Sequence, residues 1–188
     1  MDASSPKRGR LTPFERLYAA TMLGWVRNEE ELFWLAPRTT GPLTVGRIEA
    51  WTEPDDHAFL FWGDDSRIPL GYGELNQMPH RRNHLWLGHL IIAPSHRRKG
   101  WGRRLVAALL EEGFVRLRAK EISLVVFPEN VAAIRCYRQC GMRAIGDQYK
   151  QFGQAGRQYR MIHMGTTAKD YARWLRAQGE AKAQQSPG

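Results

Sequence analysis

The chain has 188 residues, and 28 Lys and Arg against 19 Asp and Glu give it a formal net charge of +9. That length holds one domain plus tails, and 43% hydrophobic with 25% charged residues are globular proportions that exclude a disordered or fibrous chain. No apolar run approaches the ~20 residues of a membrane span, and no secretory signal is expected, because Lys7, Arg8 and Arg10 are followed by Thr12, Pro13 and Glu15.

Three ranges are expected: a flexible basic N-terminus over 1–10, a single domain over 11–178, and a disordered tail over 179–188 with almost nothing apolar to bury. Thr12-Pro13-Phe14-Glu15 reads as a helix start, with Thr12 as cap, and Phe14, Leu17, Tyr18, Met22 and Trp25 fall on one helical face. A short helix over 29–35 capped by Asn28 follows, then a loop from Pro37 to Pro42 and a third short helix over 44–51. The period then changes. Strands are predicted over 58–62 and 68–75, with a longer apolar one over 85–93. Leu105, Val106, Leu109, Leu110, Phe114 and Leu117 make an apolar stripe on a helix over 103–119. A buried strand (122–127), a helix closed by Gly141 (131–140), a hairpin of strands (143–149 and 158–164) and a last helix capped by Thr167 and Asp170 complete the order. Strands, helix, strand, helix, strands predict a mixed α/β sheet, mostly antiparallel and flanked by helices.

The most informative stretch is His96-Arg97-Arg98-Lys99-Gly100-Trp101-Gly102-Arg103, between a strand and a long amphipathic helix. Successive N–H groups at a helix start bind phosphate through unsatisfied donors and the positive end of the dipole. Gly100 and Gly102 let the backbone approach an anion, and Arg97, Arg98, Lys99, Arg103 and Arg104 add charge. The segment is neither a dinucleotide fingerprint nor a nucleoside-triphosphate loop.

Arg97-x-x-Gly100-x-Gly102, after the strand ending Leu90-Ile91-Ile92-Ala93-Pro94, resembles the pyrophosphate loop of the GNAT superfamily of N-acetyltransferases. Asn130-Val-Ala-Ala-Ile-Arg-Cys-Tyr137-Arg-Gln-Cys-Gly141-Met142 resembles the superfamily's next landmark, with Met142 in place of the usual aromatic. The likeness covers roughly 68–164, and the first 60 residues fit as the variable region that forms the acceptor site. It implies acetyl-CoA as co-substrate, direct transfer of its acetyl group to a primary amine, and no metal. Leu90, Ile91 and Ile92 would hold the pantetheine arm as an extra strand, with the Ile92 N–H polarising the thioester carbonyl. Residues from Arg98 to Arg103 would wrap the pyrophosphate, with Trp101 inside that loop. Asn130 would bond the cofactor tail, and Tyr137 would protonate the departing thiolate. The likeness also allows a homodimer.

Ribosomal-protein alanine acetyltransferases, which share these motifs, carry a glutamate five residues before the asparagine, where this chain has Val125. The base is then sought nearer the loop: Glu74 first, with His84 and His89 behind it, on opposite sides of a strand unless a bulge intervenes. An α-amine with a pKa of about 7.7–8.0 needs little help, whereas a lysine-type amine near 10.4 makes a base useful. The acceptor stays open among protein amines, amino acids, aminoglycosides and polyamines. The positive chain disfavours polycations unless Glu29, Glu30, Glu31, Asp55 and Asp56 make a local acidic patch. Trp25, Trp34, Trp51 and Trp86 are candidate pocket walls. Cys136 and Cys140, two thiols four apart, suit a reducing cytoplasm and lack the second pair a zinc site needs. Two other readings stand beside the enzyme: a silent acyl-CoA-binding regulator, and a nucleic-acid-associated basic protein, for which no recognition motif is present.

Overall fold

Valine, isoleucine, leucine and aromatic side chains alternate with small or polar ones through the middle of the chain, and that pattern builds one seven-stranded sheet. In the computed structural model, which describes residues 9–52, 57–153 and 156–184, the strands are β1 (Gly9–Pro13), β2 (His57–Gly63), β3 (Gly71–Gln77), β4 (His84–Ile92), β5 (Glu121–Val126), β6 (Arg143–Phe152) and β7 (Arg157–Thr167). Their order is β1-β2-β3-β4-β5-β7-β6, and every neighbouring pair is antiparallel except β4 and β5. The helices are α1 (Ala19–Leu23), α2 (Glu29–Leu35), α3 (Val45–Glu49), α4 (Trp101–Glu111), α5 (Val131–Arg138) and α6 (Ala168–Gln184). The mixed, mostly antiparallel sheet flanked by helices is the fold expected from the sequence.

Local chemistry accounts for the helix ends. The Asn28 side chain accepts the Glu31 N–H, Thr44 accepts that of Arg47, and Thr167 accepts that of Asp170, so α2, α3 and α6 start where capping residues stand. The predicted start at Thr12 is overturned. Gly9–Pro13 pairs with β2, and the Thr12 hydroxyl accepts the Trp62 indole N–H at 2.9 Å instead of capping a helix. Pro13 ends an edge strand, where its missing donor costs no ladder bond. Six residues read as tail, 179–184, continue α6. The long stripe predicted over 103–119 is α4 followed by a π-helical turn, Glu112–Arg116.

Two cores flank the sheet. Leu105, Val106, Leu109 and Leu110 of α4 pack with Leu75, Leu85, Leu87, Ile122 and Leu124 on one face, joined by Ile134 and Tyr137 of α5. On the other face Ala19, Met22, Trp25 and Ile48, from α1, α3 and the turn after α1, cover Leu60, Trp62 and Tyr72. Arg97 ties the N-terminal helices to the sheet. Its guanidinium donates to the Ile92 carbonyl at 2.9 Å, to Glu31 of α2 at 2.7 Å and to the Trp25 carbonyl at 2.7 Å.

Burial alone would raise the Glu31 carboxyl, but hydrogen bonds from Arg97 and Arg27 outweigh it and hold the group down at about 2. A depressed carboxylate stabilises the fold above its unfolded value, 4.5, and that contribution fades as pH falls toward 2. Glu31→Gln is expected to cost about 1–2 kcal/mol near neutral pH. In thermal melts taken down a pH series, the gap to wild type should narrow below 4.5. A gap independent of pH would show that the carboxylate charge is not what holds this junction.

Candidate active site

Parallel strands β4 and β5 pair through only three residues each, His84–Trp86 with Glu121–Ser123, and then diverge. Beyond Trp86 the β5 side of β4 is an open edge. On its other side β4 pairs with β3, with a bulge: Tyr72 lies opposite Ile91, but Glu74 lies opposite Gly88. His89 takes up the extra residue at φ 39°. The Ala93 N–H donates back to Leu70, so alternation along the strand turns the Ile92 N–H the other way, into the opening.

At the wide end of the opening stands the loop before α4. Arg98 and Gly100 have φ of 59° and 80°, a turn that points successive amides into one hollow. None of the N–H groups from Arg98 to Arg103 donates to a backbone acceptor among the described residues. Arg98, Lys99 and Arg103 are exposed beside them, and Gly102 sits over Cys136, 3.6 Å from where its own Cβ would stand. Asn130 caps α5 through its side-chain oxygen, which accepts the Ala133 N–H at 3.2 Å. Tyr137 is buried on α5, and no described residue hydrogen-bonds its hydroxyl. Burial, then the neighbouring Cys136 and Cys140, pushes its phenol above the ordinary tyrosine range, so it keeps its proton. The donor set fits a diphosphate and an extended amide-containing chain: a cradle of free amides, exposed cations, and an unpaired strand edge leading inward.

Arg97 does not belong to that cradle. Its guanidinium is turned inward onto Ile92, Glu31 and Trp25, and its N–H donates to Pro94. The Trp101 indole is likewise buried, against Phe61 and under Arg104, which leaves only its backbone at the loop.

The buried carboxylate is the least anticipated feature. Glu74 is fully buried (0% exposed), although a strand carboxylate ordinarily faces water. Tyr72, Glu74 and Asn76 share one face of β3, and the bulge brings His89 of β4 to that same face. Glu74 Oε1 accepts the Tyr72 hydroxyl at 2.6 Å, and Oε2 accepts Asn76 Nδ2 at 3.0 Å and His89 Nδ1 at 2.8 Å. Gly88 leaves room for this, since a Cβ there would stand 3.1 Å from Glu74 Oε2. The Trp51 indole stacks on the His89 ring at 4.5 Å and 5°. A carboxylate only accepts, so the proton between the two groups sits on His89 Nδ1 and the lone pair is on Nε2. Glu74, expected to be the base itself, has both oxygens engaged and no exposed surface, so it orients His89.

His84 is removed from this arrangement. It lies where β4 and β5 still pair, with Nε2 2.7 Å from the Ser123 hydroxyl, and burial lowers its pKa. The described members of the acidic patch are placed elsewhere. Glu31 is taken by Arg27 and Arg97, Glu29 and Glu30 stand in the first turn of α2, and Asp55 and Asp56 lie outside the described residues. Of the four tryptophans, Trp51 lines the site, Trp86 lies under Lys150, and Trp25 and Trp34 are parts of cores.

A family model described as the acetyltransferase (GNAT) family matches residues 16–142. A spermidine N(1)-acetyltransferase of Vibrio cholerae is 37% identical over 68 residues, which is 36% of this chain, and the match spans 39% of that relative's length. Among solved structures, spermidine N-acetyltransferase from Vibrio cholerae in complex with CoA and spermine superposes with a TM-score of 0.72 at 22% identity, covering 88% of this chain and 98% of that one. An acetyltransferase of the GNAT family from Bacillus anthracis gives 0.72 at 16% identity over the same shares. At these identities the two structures share the fold.

Proposed function

The chain belongs to the acetyltransferase (GNAT) family, and on that premise we propose that it transfers the acetyl group of acetyl-CoA to a primary amine of a small molecule. The single observation that carries the reading is the imidazole of His89, held by a buried carboxylate beside an unpaired strand edge that leads to a cradle of free amides. The spermidine acetyltransferases among the relatives support a small-molecule acceptor rather than a protein.

Acetyl-CoA supplies a thioester whose carbonyl carbon accepts the amine nitrogen. The chain's own residues do the rest. Residues from Arg98 to Arg103 bind the diphosphate through their amides, and the Asn130 side-chain NH2, left over from its capping bond, holds the cofactor arm. The Ile92 N–H donates to the carbonyl oxygen as negative charge gathers there. His89 Nε2 takes the proton that the amine sheds as the N–C bond forms, and Glu74 stabilises the imidazolium. Tyr137 gives its phenolic proton to the sulfur as the C–S bond breaks, and solvent returns a proton to it.

Release of free thiol from acetyl-CoA, measured against amines of several classes, tests the reaction. A primary amine should release thiol and itself gain an acetyl group. Release without acetylated amine would mean hydrolysis and would sink the proposal. The cradle has its own test. Gly100→Glu puts a side chain at a positive φ and a carboxylate beside the diphosphate, so acetyl-CoA should bind on the order of a hundredfold more weakly. No described atom lies within 4 Å of the added Cβ, so the fold should persist. Unchanged affinity in calorimetry would remove the loop from the cofactor site.

A further inference from the structure

Resting on the acetyltransferase reading, we infer that the acceptor amine also carries an anionic group, a carboxylate or a phosphate, held by Arg38 and Lys150 at the mouth of the acceptor side. A cavity of about 280 Å³ opens there, lined by Arg38, Thr39, Thr40, Arg47, Ala50 and Trp51. Trp51 is the same indole that stacks on His89, so the cavity adjoins the residue that takes the amine's proton. Two guanidinium groups line the cavity, and among the described residues no carboxylate does.

The two arginines differ in use. Arg47 donates to the carbonyls of Thr40 and Pro42 and so holds its own loop. Arg38 forms no hydrogen bond or ion pair with any described residue. Lys150, reaching in from β6, lies over the Trp86 ring at 4.9 Å and also has no carboxylate partner among the described residues. Burial, and then Arg38 nearby, pushes the Lys150 ammonium below the ordinary lysine range. Deeper in, the His163 ring is 6.2 Å from Trp86, and its Nε2 is buried with no partner among the described residues. Arg38 is exposed and Lys150 half-buried; the two cations repel each other and burial strips hydration from the lysine, and an anion between them would reverse both effects.

A polycationic acceptor would need the opposite wall. Among the described residues, Glu31 is engaged by Arg27 and Arg97, Glu121 by Arg81, and Glu74 by three donors with no exposed surface. An anionic acceptor would differ from the one named for the spermidine acetyltransferases.

The test compares amines in matched pairs on the full chain: alanine with alaninamide, phosphoethanolamine with ethanolamine, and spermidine beside them. Thiol release gives kcat and KM, and calorimetry on the CoA-bound protein gives affinity without turnover. The anionic member of at least one pair should exceed its uncharged partner by about tenfold or more in kcat/KM and in affinity, the range of a charge-assisted hydrogen bond. Which pair responds separates a carboxylate from a phosphate. Arg38→Ala, on an exposed loop residue, should shrink that preference about tenfold through KM, and Lys150→Met should act in the same direction. Preference for spermidine or for the uncharged members would overturn the inference, as would a preference untouched by Arg38→Ala. If no amine releases thiol, the acetyltransferase reading fails, and calorimetry alone then decides whether the anion site exists.

Discussion

His89→Gln is expected to lower kcat by a factor on the order of 10² to 10⁴, the usual contribution of a positioned general base, while acetyl-CoA still binds. Glutamine keeps the size and one hydrogen bond of the imidazole but cannot take a proton. Glu74→Gln should cost less, about tenfold, the difference between a charged and a neutral hydrogen-bond partner. The glutamine can keep its carbonyl oxygen on His89 Nδ1 and Asn76 Nδ2 and turn its NH2 to the Tyr72 hydroxyl, which can accept. What is lost is the negative charge that stabilises the imidazolium. The fold should therefore tolerate the change. Since Glu74 acts through His89, the double variant should be no slower than the slower single one. Two independent losses that multiply would return the proton to solvent or to another group.

Tyr137→Phe is the second large effect, a loss in kcat of about a hundredfold or more with acetyl-CoA affinity kept. The ring packs in the core with Ile134, and no described residue hydrogen-bonds the hydroxyl, so removing one oxygen should disturb the fold little. Because burial and the neighbouring thiols raise this phenol above the ordinary range, it remains protonated wherever the fold is stable. A basic limb in the wild-type profile of kcat/KM against pH should thus persist in the variant. A regulator that binds acyl-CoA without turnover would show no change in any of these quantities. Wild-type turnover in Tyr137→Phe would assign the thiolate's proton to water.

What the sequence disclosed, and what it withheld, follows from the range of the interactions involved. Asn28 and Thr167 mark helix starts because a cap is settled within four residues. Thr12 has the same local credentials, but β2, some fifty residues away, offers a full ladder and a tryptophan donor, and the ladder outweighs one capping bond. The turn from Arg98 to Gly102 was legible because backbone shape, such as the positive φ at Gly100, is what glycine spacing reports directly. Arg97 was misread because its partners lie on three separate segments. Glu74 stood out in the sequence, but its burial and its three donors did not. Alternation along β3 shows that Tyr72 and Asn76 share its face. Only the bulge, one extra residue in β4, carries His89 round to join them, and no period in the sequence announces it. Trp51 was one of four candidate walls, and only its stacking on His89 singles it out.

The three-residue seam between β4 and β5 has a consequence for the molecule's economy of folding. Strands β1 to β4 form one half-sheet and β5 to β7 another, and among the described residues backbone pairing joins them only over His84–Trp86 and at the Asn83 carbonyl just before, which accepts from Lys120 and Glu121. Any ligand that lies along the free edge of β4 and reaches α5 acts as a missing strand, and its binding energy is also energy of cohesion between the halves. At a hundred times its dissociation constant such a ligand adds about 2.7 kcal/mol to the native state. The stability of this protein is then set partly by how much of its co-substrate the surroundings supply, so a shortage of acyl donor would both slow the reaction and loosen the sheet that performs it.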